Sequence, residues 1–254
     1  MIREAVVLAA GRSTRLGKLG RGAKFSLKVG DKPLIYYPMK SLLFAGVEVF
    51  HVVVNPYNKP LVEKVIAELG YEHIVNIVVN DKPWRENGYS FLVGAANVKD
   101  EIFFLSMSDH IYSARIPLNI IKTVIERPDA DIIVAGDAAP RYVDVEEATL
   151  IYADGNLNVK QIGKGLNYWN YIDTGVFAVK KGATIVAAEI SQARDVLKLS
   201  DVINEAITRG LKVVVADITG LPWTEVDTVE DYLAVSKGWK RSMLSEVMSH
   251  WGPI

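Results

Sequence analysis

The sequence of 254 residues contains no cysteine and only four histidines. The absence of cysteine excludes disulfides, thiol nucleophiles and thiolate metal sites, and four scattered histidines fit a structural zinc site poorly. The chain also lacks an excess of either charge, because 29 Lys and Arg residues stand against 30 Asp and Glu residues, for a net charge of −1. A general attraction to nucleic acid or to anionic lipid is therefore not expected. Any anion site must be local.

Long apolar runs are missing as well. No stretch approaches the roughly 18 apolar residues of a membrane span, and the apolar run before Gly11 is too short for an ordinary signal peptide. We therefore expect a cytoplasmic chain. Half of the residues are nevertheless hydrophobic, at 50% of the composition, so a large core can form.

Short runs rich in Val, Ile and Phe alternate with segments of helical periodicity over the first 140 residues. The runs are continuously apolar, which is typical of parallel strands buried on both faces by helices. The alternation predicts βαβ units and an α/β fold with an open, mixed, mostly parallel sheet. Strands are predicted at 4–10, 47–55, 74–80, 101–109 and 130–137, and helices at 33–46, 60–70, 89–98 and 116–127.

The pattern changes after residue 140. Residues 146–163 predict a small β-hairpin insertion that turns at 154–156, and 171–180 predict a return to a core strand. A strand at 211–218, a turn at 220–227 and a helical stretch from Thr228 follow. We expect one domain at 1–235 and a C-terminal helical extension at 236–254. The extension has an apolar stripe that suits a partner, a membrane surface or its own domain.

A loop crowded with Gly, Ser, Thr, Arg and Lys follows the first predicted strand. In open parallel sheets, ligands bind beyond the carboxyl ends of strands, where backbone N–H groups point outward. Gly11 allows a phosphate to approach the backbone closely, and Ser13 and Thr14 add hydroxyl donors. The composition fits a polyphosphate, with a solvated basic loop as the alternative. The cations of this loop are Arg12, Arg15 and Lys24.

Two common phosphate-binding motifs do not match this loop. A P-loop requires glycine where Arg12 stands, and the dinucleotide motif requires a second glycine before Gly17. The stretch "LAAGRSTRLG" with Lys24 downstream instead resembles the nucleotidyltransferases that join a nucleoside triphosphate to a sugar or polyol phosphate. Ser13 and Ala23 stand where many members carry Gly and Pro.

That resemblance implies a Rossmann-like fold of the nucleotide-diphospho-sugar transferase type, with the hairpin on the substrate side. It also implies that the first loop wraps the triphosphate and that Lys24 neutralises it. The residues assigned to the nucleotide in this loop are Leu8, Ala10, Gly11, Arg12, Ser13 and Thr14.

Carboxylates occur at two other places where the chain leaves apolar segments. Asp109 and His110 follow a strand, while Glu225 and Asp227 precede a helix and face one side if the segment is extended. Taken alone, Asp109 fits a cap of the next helix equally well, and without Asp109 the pair of Glu225 and Asp227 fits an acidic helix start better than a metal site. The resemblance implies metal ligation by Asp109 and Asp227, with Glu225 as a weaker candidate. We expect Mg²⁺, which prefers one or two carboxylates together with phosphate and water.

The stretch "ENGYS" opens a predicted helix, and a start capped by Asn87 is one interpretation. In the family this region lies beside the nucleotide base. Together, "ENGYS" and "MSDH" resemble most closely the cytidylyltransferases that act on inositol 1-phosphate, and more distantly those that act on choline phosphate. The expected nucleotide is therefore CTP. The base or ribose candidates are Glu86, Asn87, Gly88 and Ser90.

Lys164 lies between two glycines, nine residues before Asp173. This segment resembles the lysine-containing sugar-phosphate segment of the family, which implies that Lys164 binds the phosphate of the second substrate. A solvent-facing hairpin lysine is the alternative. The substrate candidates are Lys164, Asn167, Tyr168, Asn170, Asp173 and Thr174.

The reaction implied by the resemblance is attack by a phosphate oxygen of inositol 1-phosphate on the α-phosphorus of CTP. Arg15, Lys24 and Lys164 are its expected catalytic cations. Another sugar-1-phosphate or choline-phosphate nucleotidyltransferase and a non-catalytic nucleotide-sugar sensor are the competing hypotheses. Similar enzymes can be fused to a membrane phosphotransferase, so a downstream module, a position at the inner membrane surface and a homodimer stay open.

Overall fold

The computed structural model describes residues 1–11, 14–16 and 23–252. Within these residues, apolar runs form strands and the amphipathic segments between them form helices. The strands are β1 (Glu4–Leu8), β2 (Lys28–Val29), β3 (Lys32–Pro33), β4 (Val49–Val54), β5 (Val75–Val79), β6 (Ile102–Met107), β7 (His110–Tyr112), β8 (Ile132–Asp137), β9 (Leu150–Ala153), β10 (Val159–Gly163), β11 (Tyr171–Lys180), β12 (Val213–Asp217) and β13 (Trp223–Glu225). The helices are α1 (Tyr36–Phe44), α2 (Lys59–Leu69), α3 (Glu86–Ala95), α4 (Arg115–Glu126), α5 (Thr184–Ala193), α6 (Leu199–Thr208), α7 (Val229–Ser236) and α8 (Arg241–Ser249).

The main sheet has the order β10-β9-β11-β6-β1-β4-β5, and β8 pairs with both β11 and β12. Strands β1, β4, β5 and β6 pair in parallel, as do β8 and β12. The long strand β11 runs antiparallel to its neighbours β6, β8 and β9. The expected α/β fold with an open, mixed, mostly parallel sheet is confirmed.

Helices cover both faces of the sheet. The sequence of strand β1 is continuously apolar because both faces of the strand are buried. Ala5 and Val7 belong to the cluster on one face, and Val6 and Leu8 belong to the cluster on the other. The first cluster includes apolar residues of α1, α2 and α4, and the second includes those of α3, α5 and α6. The carboxyl ends of β1 and β6 therefore emerge side by side between two helical layers.

The hairpin of β9 and β10 forms where the sequence predicts it. Asp154 fixes its turn, because its Oδ1 accepts hydrogen bonds from the backbone N–H groups of Asn156, at 3.0 Å, and Asn158, at 2.9 Å. Strand β9 pairs with β11, so the hairpin extends the main sheet.

The segment expected to be a turn at 220–227 contains strand β13, which corrects that prediction. A strand of three residues is too short to show an alternation of apolar and polar residues in the sequence. The strand forms because it pairs with β7, in an antiparallel register that places Glu225 opposite His110. Trp223 and Thr224 are buried in this pairing. Two segments that are distant in the sequence are thereby brought together just beyond the end of β6.

The C-terminal helix α8 packs on the body of the protein. Met243 and Val247 are buried in a cluster with Tyr37 and Ile111, and the ring of Trp251 contacts that of Tyr36 with centroids 5.7 Å apart. The domain boundary at residue 235 stays a prediction. In the part of the chain that the structure describes, every helix is too short or too polar to cross a membrane.

Gly94 is the point at which α3 lies closest to the sheet. A Cβ at this position would lie 2.5 Å from Cγ1 of Val6 and 2.7 Å from Cγ2 of Val53. Because valine side chains are stiff and these two are buried in strands, Gly94→Ala should lower the free energy of unfolding by about 1–3 kcal/mol, measured by urea denaturation.

The control for this substitution is Gly182→Ala, where no atom lies within 4 Å of the new Cβ. We expect a change within about 0.5 kcal/mol for the control. Equal stabilities of the two variants would contradict the close contact at Gly94.

Candidate active site

A cleft of about 630 Å³ opens beyond the carboxyl ends of β1 and β6. The backbone that leaves β1 is fixed there by two buried side chains, since Asn55 and Asn58 donate hydrogen bonds to the carbonyl oxygens of Ala10, at 3.0 Å, and Ala9, at 2.8 Å. Many of the residues singled out from the sequence line this cleft. They are Leu8, Ala10, Gly11, Arg15, Lys24, Glu86, Asn87, Ser90, Asp109, Lys164, Asp173, Glu225 and Asp227.

The ammonium group of Lys24 lies between two carboxylates at the floor of the cleft. Its Nζ is 2.6 Å from Oδ2 of Asp109 and also contacts Oδ1 of Asp227. Burial lowers the pKa of Lys24, but the two carboxylates outweigh burial and hold the pKa above its ordinary value. Burial likewise raises the pKa of Asp109, while Lys24 and His110 bring it well below its usual range. Lys24 and Asp109 are therefore both charged at neutral pH.

Asp109 is not used as a helix cap, which was its alternative interpretation, and Asp227 lies just before α7 without capping it. Asp109 is followed by β7, and the first N–H of α4, that of Arg115, donates to Oγ of Ser113 at 3.1 Å. Helix α7 is capped by Thr228, whose Oγ1 accepts a hydrogen bond from the backbone N–H of Asp231 at 3.1 Å. The carboxylates of Asp109 and Asp227 can therefore face the cleft.

His110 connects Asp109 to Glu225. Its Nδ1 is 2.9 Å from Oδ1 of Asp109 and its Nε2 is 3.6 Å from Oε2 of Glu225. Burial lowers the pKa of His110, but Asp109, with contributions from Glu225 and Asp227, raises it to about 9. This position of the imidazole ring requires glycine at residue 175, because a Cβ on Gly175 would lie only 2.8 Å from Nε2 of His110. Gly175 also adopts φ +72°, a conformation that favours glycine.

Arg15 and Lys164 continue the line of charges across the cleft. Nη2 of Arg15 is 2.8 Å from Oδ2 of Asp227, and its Nη1 is 4.0 Å from Oε2 of Glu147. Nζ of Lys164 is 3.6 Å from the same Glu147 oxygen. Positive and negative side chains thus alternate from Asp109 to Lys164, and the cleft joins the first loop to the end of the hairpin.

The residues at the floor fit a hard divalent cation. In the described residues, no group of three or more His, Asp and Glu side chains is arranged around a metal position. Instead, two carboxylates contact one cationic nitrogen, that of Lys24, as they would contact a metal ion. Mg²⁺ is commonly held by one or two carboxylates, while phosphate and water fill its remaining coordination positions. Glu225 faces His110 rather than this nitrogen.

The "ENGYS" segment lines the cleft at Glu86, Asn87 and Ser90, and the side chains of the last two are hydrogen-bonded to neighbouring elements. Asn87 accepts a hydrogen bond from the N–H of Leu199 at 2.8 Å and so fixes the start of α6 instead of capping its own helix. Gly88 has no room for a side chain, because its Cβ would lie 2.7 Å from the carbonyl oxygen of Leu197. The hydroxyl of Ser90 accepts a hydrogen bond from the side-chain amide of Asn80 at 2.9 Å.

Four of the predicted substrate residues lie outside the described cleft lining. Asn170 makes two 2.9 Å hydrogen bonds to the backbone of Ala153, and the hydroxyl of Thr174 donates to the carbonyl oxygen of Ala135 at 3.1 Å. Tyr168 is 81% exposed, and Asn167 is exposed as well. The predictions for Arg12 and Ser13, and for the side chain of Thr14, fall outside the described residues.

Several residues that line the cleft were not predicted, among them Trp84, Trp223 and Glu147. The stretch "KPWRE" contains an aromatic residue next to the expected base region, which was a usable signal for Trp84. For Glu147 the sequence offers only an acidic loop, "VDVEEA", in which neighbouring carboxylates cannot be told apart.

A family model described as the MobA-like NTP transferase domain matches residues 5–202. The chain is 33% identical over 230 residues to a "Bifunctional IPC transferase and DIPP synthase" of Thermococcus kodakarensis, and the match covers 89% of this chain and 48% of the relative. A relative of the same description in Aquifex aeolicus is 31% identical over 232 residues, with 91% and 50% covered. The chain thus spans about half the length of these relatives.

Solved structures show the same fold. The inositol-1-phosphate CTP transferase from T. maritima superposes with a TM-score of 0.85 at 30% identity, covering 97% of this chain and 96% of that one. A UDP-glucose pyrophosphorylase complexed with UDP-glucose gives a TM-score of 0.79 at 17% identity, covering 95% and 100%. At 17% identity the second likeness shows the fold alone.

Asp173 should make the stability of the protein depend on pH. Burial raises the pKa of Asp173 to about 7, with the N–H of Gly175 and His110 acting in the opposite direction. Because the pKa is higher in the folded than in the unfolded state, the contribution of Asp173 to stability is fully present below about pH 4 and is lost as the pH rises through 7.

Asp173→Asn removes this titration and keeps an oxygen for the N–H of Gly175, which lies 2.8 Å from Oδ1. The free energy of unfolding of the variant, relative to the unsubstituted protein, should increase by about 2 kcal/mol between pH 5 and pH 8. The measurement is urea denaturation at both pH values in the presence of a metal chelator. A constant difference would show that Asp173 ionises in the folded protein as it does in the unfolded chain.

Proposed function

The chain belongs to the MobA-like NTP transferase family, and from this premise we propose that it transfers a cytidylyl group from CTP to 1L-myo-inositol 1-phosphate. The products would be CDP-inositol and pyrophosphate. The observation that carries the proposal is the single cleft in which Lys24, Arg15 and Lys164 meet the carboxylates of Asp109 and Asp227. The 30% identity to the T. maritima transferase over 97% of this chain supports the choice of substrates.

The main obstacle to this reaction is repulsion between two anionic substrates. The nucleophile, a phosphate oxygen, is already an anion and needs no general base. The protein has to align it with the α-phosphorus and to stabilise the charge that builds up on the leaving pyrophosphate. Lys24 and Arg15 are placed to stabilise the triphosphate, and Lys164, on the hairpin side, is placed to bind the acceptor phosphate.

Nucleotidyltransferases of this family generally use a divalent metal ion, and we propose Mg²⁺. Asp109 and Asp227 would hold it. When bound, Mg²⁺ supplies positive charge to phosphate oxygens and holds the reacting groups in line. With the cation on these carboxylates, Lys24 would share its charge between a carboxylate and a phosphate oxygen. His110, held 2.9 Å from Oδ1 of Asp109, keeps that carboxylate oriented.

The lining of the cleft favours a polyol phosphate over choline phosphate. A quaternary ammonium group is usually held by several exposed aromatic faces. Of the aromatic residues in the described lining, Phe25 and Trp223 are each only 2% exposed, which leaves Trp84. Asp173 and Glu225 are carboxylates that suit hydroxyl groups instead.

Partners are a further part of the proposal. The relatives of T. kodakarensis and A. aeolicus are named as bifunctional and are about twice the length that this chain matches. We propose that the product of this chain is used by a phosphotransferase that lies downstream or is encoded separately, at the cytoplasmic side of a membrane. The homodimer stays a prediction.

A panel of acceptors tests the proposed reaction. The protein is incubated with CTP, Mg²⁺ and, in separate reactions, inositol 1-phosphate, glucose 1-phosphate and choline phosphate, and pyrophosphate release is measured. Inositol 1-phosphate should give a kcat/KM at least about tenfold above the other two, since several hydroxyl contacts distinguish it. A faster reaction with glucose 1-phosphate would assign a different acceptor, and no pyrophosphate with any acceptor would favour a nucleotide-sugar sensor.

The role of Asp109 is tested by Asp109→Asn, which keeps the size of the side chain and removes its charge. We expect turnover to fall by about a hundredfold or more, because the variant loses charge that holds the cation against the phosphates. The control is Asp129→Asn, which removes a carboxylate that is paired with Arg127 outside the cleft. Pyrophosphate release should be nearly unchanged in the control. Similar rates in both variants would remove Asp109 from the proposed mechanism.

A further inference from the structure

Every Lys and Arg side chain in the described lining of the cleft is already paired with a carboxylate. Lys24 is paired with Asp109 and Asp227, Arg15 with Asp227 and Glu147, and Lys164 with Glu147. In the described residues, Glu147 connects Arg15 of the first loop with Lys164 of the hairpin. The proposed mechanism has no use for this carboxylate, although it lies where two anionic substrates have to meet.

A single oxygen of Glu147 contacts both cations. Oε2 is 4.0 Å from Nη1 of Arg15 and 3.6 Å from Nζ of Lys164. Arg15 and Lys164 are therefore close enough to share one phosphate, since phosphate oxygens attract the same donors that a carboxylate does. A phosphate bound between them would occupy the position that Oε2 has in the substrate-free protein.

The backbone beside Glu147 is anchored, which keeps the carboxylate near the cations. Ala148 is buried, and the carbonyl oxygen of Thr149 accepts a hydrogen bond from the N–H of Asp173 at 2.9 Å. Earlier in the same loop, the carbonyl oxygen of Tyr142 accepts a hydrogen bond from the hydroxyl of Thr224 at 2.7 Å. A tethered anion competes at a high effective concentration with an anion from solution.

We propose that Glu147 competes with incoming anions for the acceptor phosphate site and so keeps small inorganic anions, which make few contacts, out of it. Inorganic phosphate has to displace Oε2 and gains only the contacts of its own oxygens. A polyol phosphate meets the same competition, but the additional contacts of its hydroxyl groups give it enough affinity to occupy the site. This inference rests on the proposed function, because it assigns the space between Arg15 and Lys164 to the acceptor phosphate.

The test compares the binding of inorganic phosphate to Glu147→Gln and Glu146→Gln by isothermal titration calorimetry at low ionic strength. Glu146 is exposed in the same loop and does not line the described cleft, so both variants have the same change in net charge. Removal of two exposed ion pairs should lower the dissociation constant of Glu147→Gln for phosphate about three- to tenfold. Glu146→Gln should bind phosphate as the unsubstituted protein does.

A double variant locates the effect. If the released cation of Lys164 binds the phosphate, Lys164→Met combined with Glu147→Gln should lose most of the gain in affinity. In the pyrophosphate-release assay, the inhibition constant for inorganic phosphate should fall in Glu147→Gln while kcat changes less than the KM for the acceptor.

Equal phosphate affinities of Glu147→Gln and Glu146→Gln would overturn the inference, and so would weaker binding in Glu147→Gln. These binding measurements need no acceptor. Absence of catalysis with every acceptor would therefore overturn the proposed function alone, whereas normal catalysis with unchanged phosphate affinity would overturn the role of Glu147 alone.

Discussion

The ammonium group of Lys24 is shared by the carboxylates of Asp109 and Asp227, which come from the middle and from the end of the chain. Two carboxylates cannot both stay ionised in a buried site without a cation, because desolvation and mutual repulsion favour a proton on one of them. Removal of one partner from such a cluster commonly destabilises a protein by about 3–5 kcal/mol, while apolar replacement of the whole cluster is often tolerated. Stability alone therefore does not explain why three charged groups are collected at this place.

The pairing of the strands brings Lys24, Asp109 and Asp227 together. Strands β1 and β6 are adjacent and parallel, so the loop that leads to Lys24 and the turn that carries Asp109 start from the same edge. The pairing of β7 with β13 then adds the segment of Glu225 and Asp227 to that edge. Only the first of these two arrangements follows from a general property of parallel sheets. The second depends on an antiparallel pairing of only three residues, which the periodicity of the sequence does not reveal.

The sequence therefore predicts that the loop after β1 and the turn after β6 lie together, but not that β13 joins them. Continuous apolar runs fix the strands on either side of β1, and a family motif points to Lys24, Asp109 and Asp227. Periodicity does not reveal which side chains are already used in tertiary hydrogen bonds. Asn170 and Thr174 look suited to a polyol, yet each is bonded to backbone carbonyl oxygens of neighbouring strands. Glu147 lies in a loop of similar acidic residues, and only its position between Arg15 and Lys164 distinguishes it.

The pairing of the cations in the cleft bears on how an almost neutral protein binds highly charged substrates. A cleft of unpaired lysine and arginine side chains would attract any phosphate in the cell. In the described lining, a phosphate that contacts Lys24, Arg15 or Lys164 would replace an ion pair inside the protein. The net gain in binding free energy would depend on whether the incoming anion satisfies the cation better than a tethered carboxylate does. Under the proposed function, a nucleoside triphosphate bound together with a divalent ion would satisfy both signs of charge at once, because the ion would compensate the carboxylates of Asp109 and Asp227. Selectivity for the metal-bound nucleotide would then follow from the alternation of charges in the described lining and would need no large positive field.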